Sequence, residues 1–401
     1  MIKKIIIMTV TTLAFLFLLS LAVTYATTSR VMIKTNTGGA TVVIDGRSFS
    51  EENYIRLKPG KYQIMVRKDS YFDAQIEHDA IAREKKTIEI KMEKFVGPLE
   101  INVANQIDEP SWLNEYSFLT YNDKQIKIIS NEGVVKKSLE QRGVLKYSGL
   151  NDLVAITVGY TTSELKTMVF SISKNKYILT IKNSFGAIIS NNSVFFLRRD
   201  FGGNVLLKCD GIDCKKTKKI ADLPEYLDQI IPSPDNKEFL VYAKDLFYGG
   251  DSIIEGDSVL YHVNAKGKVN KIARDGETVA NPRWLPDGDS ISYLNKDGLT
   301  IRSLKNNNQK SIYFLEKAAT DNFHDWVTDR ELIITSINSD FSVVSVYKIN
   351  IDNPSIKTRI SEIKIRPSEN DFSPIVGTNL SPNKKNLLIS QRNKSFILAL
   401  Y

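Results

Sequence analysis

The chain is short of the residues that metal and thiol chemistry need. Its 401 residues include 3 histidines and 2 cysteines. His78, His262 and His324 stand far apart, with no His-x-x-x-His pair and no mixed His/Cys cluster, so the ligand spacing of a zinc site is missing. Two cysteines cannot make the framework of a disulfide-dense secreted domain. No Gly-x-Ser-x-Gly occurs, which removes the nucleophile elbow of the serine hydrolases. The pairs Gly38-Gly39, Gly202-Gly203 and Gly249-Gly250 lack the spacing of a phosphate loop. Charge of one sign is also scarce: 54 Lys plus Arg stand against 46 Asp plus Glu, a net +8. No stretch concentrates the excess, and the longest basic cluster is Lys215-Lys216-Thr217-Lys218-Lys219. Nucleic-acid binding calls for a concentrated stripe, so no nucleic-acid partner is expected. Catalytic, metal and cofactor-binding residues are expected to be none.

Long hydrophobic runs are absent too, with one exception. Residues 5–26, IIIMTVTTLAFLFLLSLAVTYA, carry no charge in 22 positions. As a helix this run is about 33 Å long, enough for a hydrocarbon core of about 30 Å. Lys3 and Lys4 before it should stay in the cytoplasm by the positive-inside rule. The expectation is a single-pass signal anchor over residues 1–30, which holds the chain to the membrane and sends everything after Arg30 out of the cytoplasm. A cleaved signal peptide is the alternative, against which stand the length of the run and the poor cleavage site Thr24-Tyr25-Ala26. Both readings export the rest.

Beyond the anchor the chain reads as β throughout. Within residues 31–95, Val31, Ile33 and Thr35 share one face of a first strand. Residues 41–44 form a second strand that ends at Asp45-Gly46, a strong hairpin pair. Pro59-Gly60 makes a turn, after which Tyr62, Ile64 and Val66 alternate. Ile88, Ile90 and Met92 alternate in a last strand. The residues Gly39-Ala40, Val43-x-Asp45-Gly46 and Leu57-Lys58-Pro59-Gly60-Lys61-Tyr62-x-Ile64-x-Val66, followed by Tyr71, resemble the PEGA domain. Asp69-Ser70 departs from it, since that family usually has glycine before the aromatic residue. The resemblance implies a small extracytoplasmic β-sandwich that spaces or binds.

Residues 96–401 repeat. Each unit is a strand closed by a Pro/Asp/Gly/Asn turn, then two apolar strands, then a polar one. The clearest copies begin at Asn281-Pro282-Arg283-Trp284, at Leu227 and at Thr378; weaker ones begin at His324 and Pro110. Seven starts near residues 110, 143, 185, 227, 281, 321 and 373 give a mean spacing of about 44 residues, within the range of propeller repeats. Residues 143–222 fit the pattern least, so six or eight units stay open. Leu240, Tyr242, Ile291, Tyr293, Leu332, Ile334, Leu387 and Ile389 should fill the core between four-stranded blades. The last unit has three strands before Tyr401, and Leu99, Ile101 and Val103 can supply the fourth and close the ring. Trp284-Leu285-Pro286-Asp287-Gly288, Ser233-Pro234-Asp235 and Ser381-Pro382-Asn383 resemble the TolB-like propeller repeat. The fold expected is therefore all-β: an N-terminal transmembrane helix, a small PEGA-like β-sandwich, then a seven-bladed β-propeller closed by an N-terminal strand.

Two further candidates stand in loops. Cys209 and Cys214 flank a hairpin turn, which would bring their Cα atoms within about 6 Å, so an exported chain can form a disulfide there; two free thiols are the alternative. The loop Asp251–Asp257 carries Asp251, Glu255 and Asp257 without the Asp-x-Asp-x-Asp-Gly of an EF-hand, and calcium binding there stays open. The function expected is a non-catalytic, membrane-anchored extracytoplasmic protein. Its propeller, presented by the PEGA-like spacer, would bind envelope protein, glycan or peptidoglycan. The alternative is an extracytoplasmic propeller enzyme acting on glycans.

Overall fold

A computed structural model describes Phe17 and residues 27–400, apart from 70, 95–96, 104–109, 123, 160–163, 201–202, 225–226, 228, 244–245, 250–251, 256–258, 274–278, 296–297, 307, 313–322, 339–341, 355–356, 365–376 and 392–393. The chain divides into two compact units. One runs to Val96 and takes in Thr358–Glu362; the other holds Gly97–Lys357 and Ile363–Tyr401. The uncharged run 5–26 lies, except for Phe17, outside the described residues, and no described helix is long and apolar enough to cross a membrane.

The first unit is a two-sheet sandwich. Ser29–Thr35 pairs antiparallel with Ile55–Leu57 and parallel with Lys85–Ile90. A second sheet runs Arg47–Ser50, Thr41–Ile44, Gly60–Arg67, Ala74–Ala80 in spatial order. Strand alternation places Val31, Ile33, Val42, Ile44, Ile64, Val66, Ile90 and Met92 in one core. The turn at Asp45-Gly46 has positive φ at both positions (48° and 75°), the backbone of a two-residue hairpin that matches strand twist. Ala74–Ala80, which includes His78, is a strand that the sequence pattern did not mark.

Among the described residues the second unit contains seven four-stranded sheets. Six take their strands in chain order within 111–140, 144–182, 185–223, 229–271, 280–312 and 323–364. The fourth carries an inserted hairpin, Leu246–Gly249 with Ser252–Glu255, between its second and third strands. The seventh combines Gly377–Leu380, Asn386–Ser390 and Lys394–Ala399 with Leu99–Asn102, which pairs antiparallel with Lys394–Ala399 as Ser395↔Ile101 and Phe396↔Glu100. The last sheet is thus built from both ends of the unit.

First strands of neighbouring sheets touch from the first to the fourth and from the fifth to the seventh, and the seventh sheet's first strand touches that of the first sheet. The fourth and fifth sheets are joined by a shared apolar cluster and by the Trp284 indole, which donates to the Ile231 carbonyl. The sheets therefore lie one after another in a ring, a propeller-like arrangement with first strands innermost. Leu240, Tyr242, Ile291 and Tyr293 pack in one cluster between sheets, and Leu332 and Ile334 in the next. Leu387 and Ile389 are fully buried. Between the seventh and first sheets lie Ile101, Val103, Trp112, Phe118, Ile129, Leu388 and Ile397.

The turn after each inner strand explains why some repeats are plain in sequence and others are not. In the fourth sheet the Ser233 hydroxyl donates to Asp235 Oδ1 (2.7 Å) and accepts the Glu238 amide (3.0 Å), while the Lys237 amide donates to Asp235. Ser381, Asn383, Lys385 and Asn386 repeat these bonds in the seventh sheet. The residue after the Asp or Asn is left-handed in each: Asn236 (φ 60°), Gly288 (71°) and Lys384 (59°). In the third sheet the turn is instead Asn191-Asn192, both with positive φ, so no Pro-Asp signature is needed.

Candidate binding site

The ends of four inner strands enclose a cleft of about 440 Å³ on the ring. Its wall takes Pro234 from the fourth sheet, Arg283, Trp284 and Pro286 from the fifth, Asp325 and Trp326 from the sixth, and Leu380, Ser381, Pro382 and Lys384 from the seventh. Equivalent positions of the repeat supply the three prolines, one per turn. They give a rigid apolar rim, because proline has little conformational entropy left to lose on contact.

The centre of the cleft is charged. Arg283 Nε donates to Asp325 Oδ1 across neighbouring inner strands (3.1 Å), and Arg283 Nη1 donates to the Pro282 carbonyl (3.1 Å). The side chains of Arg283 and Asp325 are 21% and 11% exposed, so the pair is largely desolvated. Such a pair adds little net stability, since desolvation cancels most of the attraction. Lys384 Nζ donates to the Val327 carbonyl (2.8 Å). Burial lowers the Lys384 pKa from its ordinary value, and the nearby charges of Asp329 and Asp325 oppose that shift.

Behind this surface the sheets are joined by indoles. All three tryptophans stand at or near the end of an inner strand, and each donates its N–H to the preceding sheet. Trp112 reaches the Asn379 carbonyl (2.9 Å), Trp284 the Ile231 carbonyl (3.0 Å) and Trp326 the Ser292 hydroxyl (2.7 Å). Asn379 Nδ2 returns a bond to the Pro110 carbonyl (3.3 Å), so the seam between the last and first sheets is tied in both directions.

His324 is 1% exposed, and its Nε2 lies 2.8 Å from Ser292 Oγ. The Ser292 hydroxyl, accepting from Trp326, donates to Nε2, which leaves the imidazole proton on Nδ1. Burial, with the positive charge of Arg283, pushes the His324 pKa down to about 3. The pair has the chemistry of a nucleophile and base but no access, because Ser292 is also fully buried. It is a joint between the fifth and sixth sheets.

The other singled-out residues do not converge on the cleft. His262 pairs with Glu238 (2.7 Å) in the fourth sheet, and His78 lies in the first unit. Cys209 and Cys214 are joined as a disulfide, with Cα atoms 4.7 Å apart, where the third sheet's outer hairpin begins. Asp251 and Asp257 lie outside the described residues, as does the side chain of Glu255. Among the described residues no three His, Cys, Asp or Glu are grouped to hold a metal ion. Sequence reasoning missed the Arg283–Asp325 pair and Lys384. The signal that could have found them is their position beside the turn in aligned repeats.

Residues 28–94 match the model of the PEGA domain. No curated protein matches the chain. Among solved structures the chain is similar to Kuenenia stuttgartiensis hydrazine synthase, with 11% identity, a TM-score of 0.54, and coverage of 75% of this chain and 97% of that one. It is also similar to a chain in the crystal structure of the mitotic checkpoint complex, with 12% identity, a TM-score of 0.56, and coverage of 77% and 93%. At such identities the likeness is one of all-β, propeller-like fold alone.

Proposed function

We propose that the chain is a non-catalytic, membrane-anchored protein of the cell envelope. Residues 5–26 hold it in the membrane, the PEGA-like module spaces, and a seven-bladed, TolB-like β-propeller binds envelope protein, glycan or peptidoglycan in the cleft at the ends of its inner strands. The match of residues 28–94 to the PEGA domain supports an extracytoplasmic binding role. The observation that carries the choice of site is Lys384. It occupies the left-handed position where the fifth sheet has Gly288, at a cost on the order of 1–2 kcal/mol for a side chain with Cβ. In return an ammonium sits in the cleft wall beside Ser381 and Pro382. The Val327 carbonyl, 2.8 Å away, holds that ammonium in place beside the Arg283–Asp325 pair, a fixed positive charge for a ligand to meet.

Binding rather than glycan hydrolysis is supported by the lining. Asp325 is the one carboxylate among the described lining residues and is already bonded to Arg283, whereas a glycosidase places two carboxylates across its substrate. The test uses the full chain in neutral detergent, titrated with soluble peptidoglycan fragments, envelope glycans and envelope protein extracts, with new reducing ends assayed in parallel. The expected result is binding without hydrolysis. Lys384→Gly should weaken it about 10- to 100-fold, the loss of a charged hydrogen bond, while the unfolding midpoint changes little, because relief of the left-handed backbone offsets the lost bond to the Val327 carbonyl. Equal binding by Lys384→Gly, or product formation, would overturn the proposal.

A further inference from the structure

The strongest unassigned feature is a cationic face that the fold assembles from two separate segments. Lys215, Lys216, Lys218 and Lys219 lead into and begin the outer strand of the third sheet, Thr217–Leu223, and all four are exposed. Lys266, Lys268 and Lys271 flank or occupy the outer strand of the fourth sheet, Val269–Lys271, and these are exposed as well. The two outer strands are neighbours. Their approach is close: a Cβ on Gly267, whose φ is 79°, would fall 2.3 Å from the Ile220 carbonyl oxygen. Glycine at 267 is thus what lets the turn between Lys266 and Lys268 lie against the lysine-bearing strand.

Charge bookkeeping isolates the face. Residues 208–222 and 264–271 hold eight lysines and three aspartates, a net +5 of the chain's +8. The aspartates are engaged locally, Asp210 with Lys208, Asp213 with Lys215 and Asp222 with Lys219. The surplus is all lysine. Ammonium groups are point charges without the planar fork that reads one phosphate or carboxylate bidentately, so the face suits repeated charge rather than a single headgroup. Phe, Tyr and Trp are absent from both segments, so nothing offers the stacking platform of a single-stranded nucleic-acid site. Exposed large apolar residues are absent from them too, so nothing would insert into a lipid interface.

We infer that the adjoining outer strands of the third and fourth sheets form a docking face for a flexible, linear polyanion, a carbohydrate or polyol chain that carries phosphate or carboxylate at each repeat. Attraction comes from release of the polymer's counterions, which is independent of its exact sequence. The face is separate from the inner-strand cleft and shares no lining residue with it. Ligand capture in the cleft can therefore fail while this face binds, and the reverse.

The test is binding of the full chain, in neutral detergent, to linear polyphosphate and to polyglucuronate of matched length, with dextran as the uncharged arm. Vesicles containing phosphatidylglycerol and a single-stranded oligonucleotide are the competing arms. One or both polyanions should bind, and which one does identifies the anionic group. Five net charges correspond to a slope of about −3 to −4 in log K against log salt, so raising salt from about 50 to 200 mM should weaken binding about 10²-fold. Lys216→Glu/Lys218→Glu and Lys266→Glu/Lys268→Glu should each weaken binding at least about 10-fold and flatten the slope, with the unfolding midpoint unchanged. Binding that is insensitive to salt, loss confined to one pair, equal binding of dextran, or preference for vesicles or the oligonucleotide would each overturn the inference.

Discussion

The closing strand offers the sharpest test of the architecture, because it makes residues near the start of the ring responsible for the stability of its end. Ile101 is 6% exposed and packs with Trp112, Phe118, Leu388 and Ile397, while its backbone faces Ser395, 294 positions away. Ile101→Ala removes three buried carbons and leaves a cavity between two sheets, which should cost about 2–4 kcal/mol. Leu99, two residues earlier, is 42% exposed, so Leu99→Ala should cost below about 1 kcal/mol. Glu100 pairs with Lys394 at the surface, and Glu100→Gln should change little. For a unit of this size the Ile101 cost corresponds to a fall in thermal midpoint of about 4–8 °C. Differential scanning calorimetry of the three variants, at equal pH and scan rate, reads the order directly. If Ile101→Ala melts with the wild-type midpoint, or if Leu99→Ala is the more damaging change, the strand does not close the ring and the seam between the seventh and first sheets is wrong.

Three other outcomes rest on named contacts. Trp112→Phe keeps the aromatic packing but leaves the Asn379 carbonyl without its indole donor, and should lower stability by about 1–2 kcal/mol in urea titration. His324 has a folded pKa of about 3, below its ordinary value of about 6.5, so the unfolded chain takes up its proton first. Stability should therefore be complete above about pH 6.5 and be lost as pH falls toward 3, and His324→Gln should flatten that part of the profile relative to wild type. Reduction of Cys209–Cys214, or Cys214→Ala, should cost about 2 kcal/mol, the loop entropy of a short ring, seen as a lower urea midpoint. An equal midpoint with and without reductant would contradict it.

Repetition made the seven-sheet layout readable, since each sheet needs an apolar pair of middle strands and a turn, and both leave a pattern. The pairs Leu240/Tyr242 and Ile291/Tyr293 were visible as alternation, and Ser233-Pro234-Asp235 as a turn whose hydroxyl and carboxylate cap their own backbone amides. The second and third sheets were harder because their turns use other chemistry. Asn191-Asn192 closes a two-residue hairpin, and Gly149 matters through contact, since a Cβ there would meet Leu113 and Leu119 at 2.8 Å. Strands of the first unit were read from turns, yet Ala74–Ala80 escaped because its polar residues break the alternation. The cleft was not legible. Arg283 and Asp325 lie 42 residues apart and meet only because the ring sets their strands side by side. The lysine face was hidden as a face: Lys215-Lys216-Thr217-Lys218-Lys219 reads as one short basic cluster, and Lys266, Lys268 and Lys271 join it only where the outer strands of two sheets meet.

The central claim is that material of the cell envelope is held at the ends of the inner strands. A photo-crosslinking amino acid at position 382, whose proline is exposed in the cleft wall, tests it in cells that make the full chain. The same amino acid at position 135, exposed on the first sheet's outer strand, is the control. The account predicts a covalent adduct bearing envelope protein or glycan from position 382 and none from position 135. Adducts from position 135 alone, or from neither position while purified chain still binds envelope material, would contradict it.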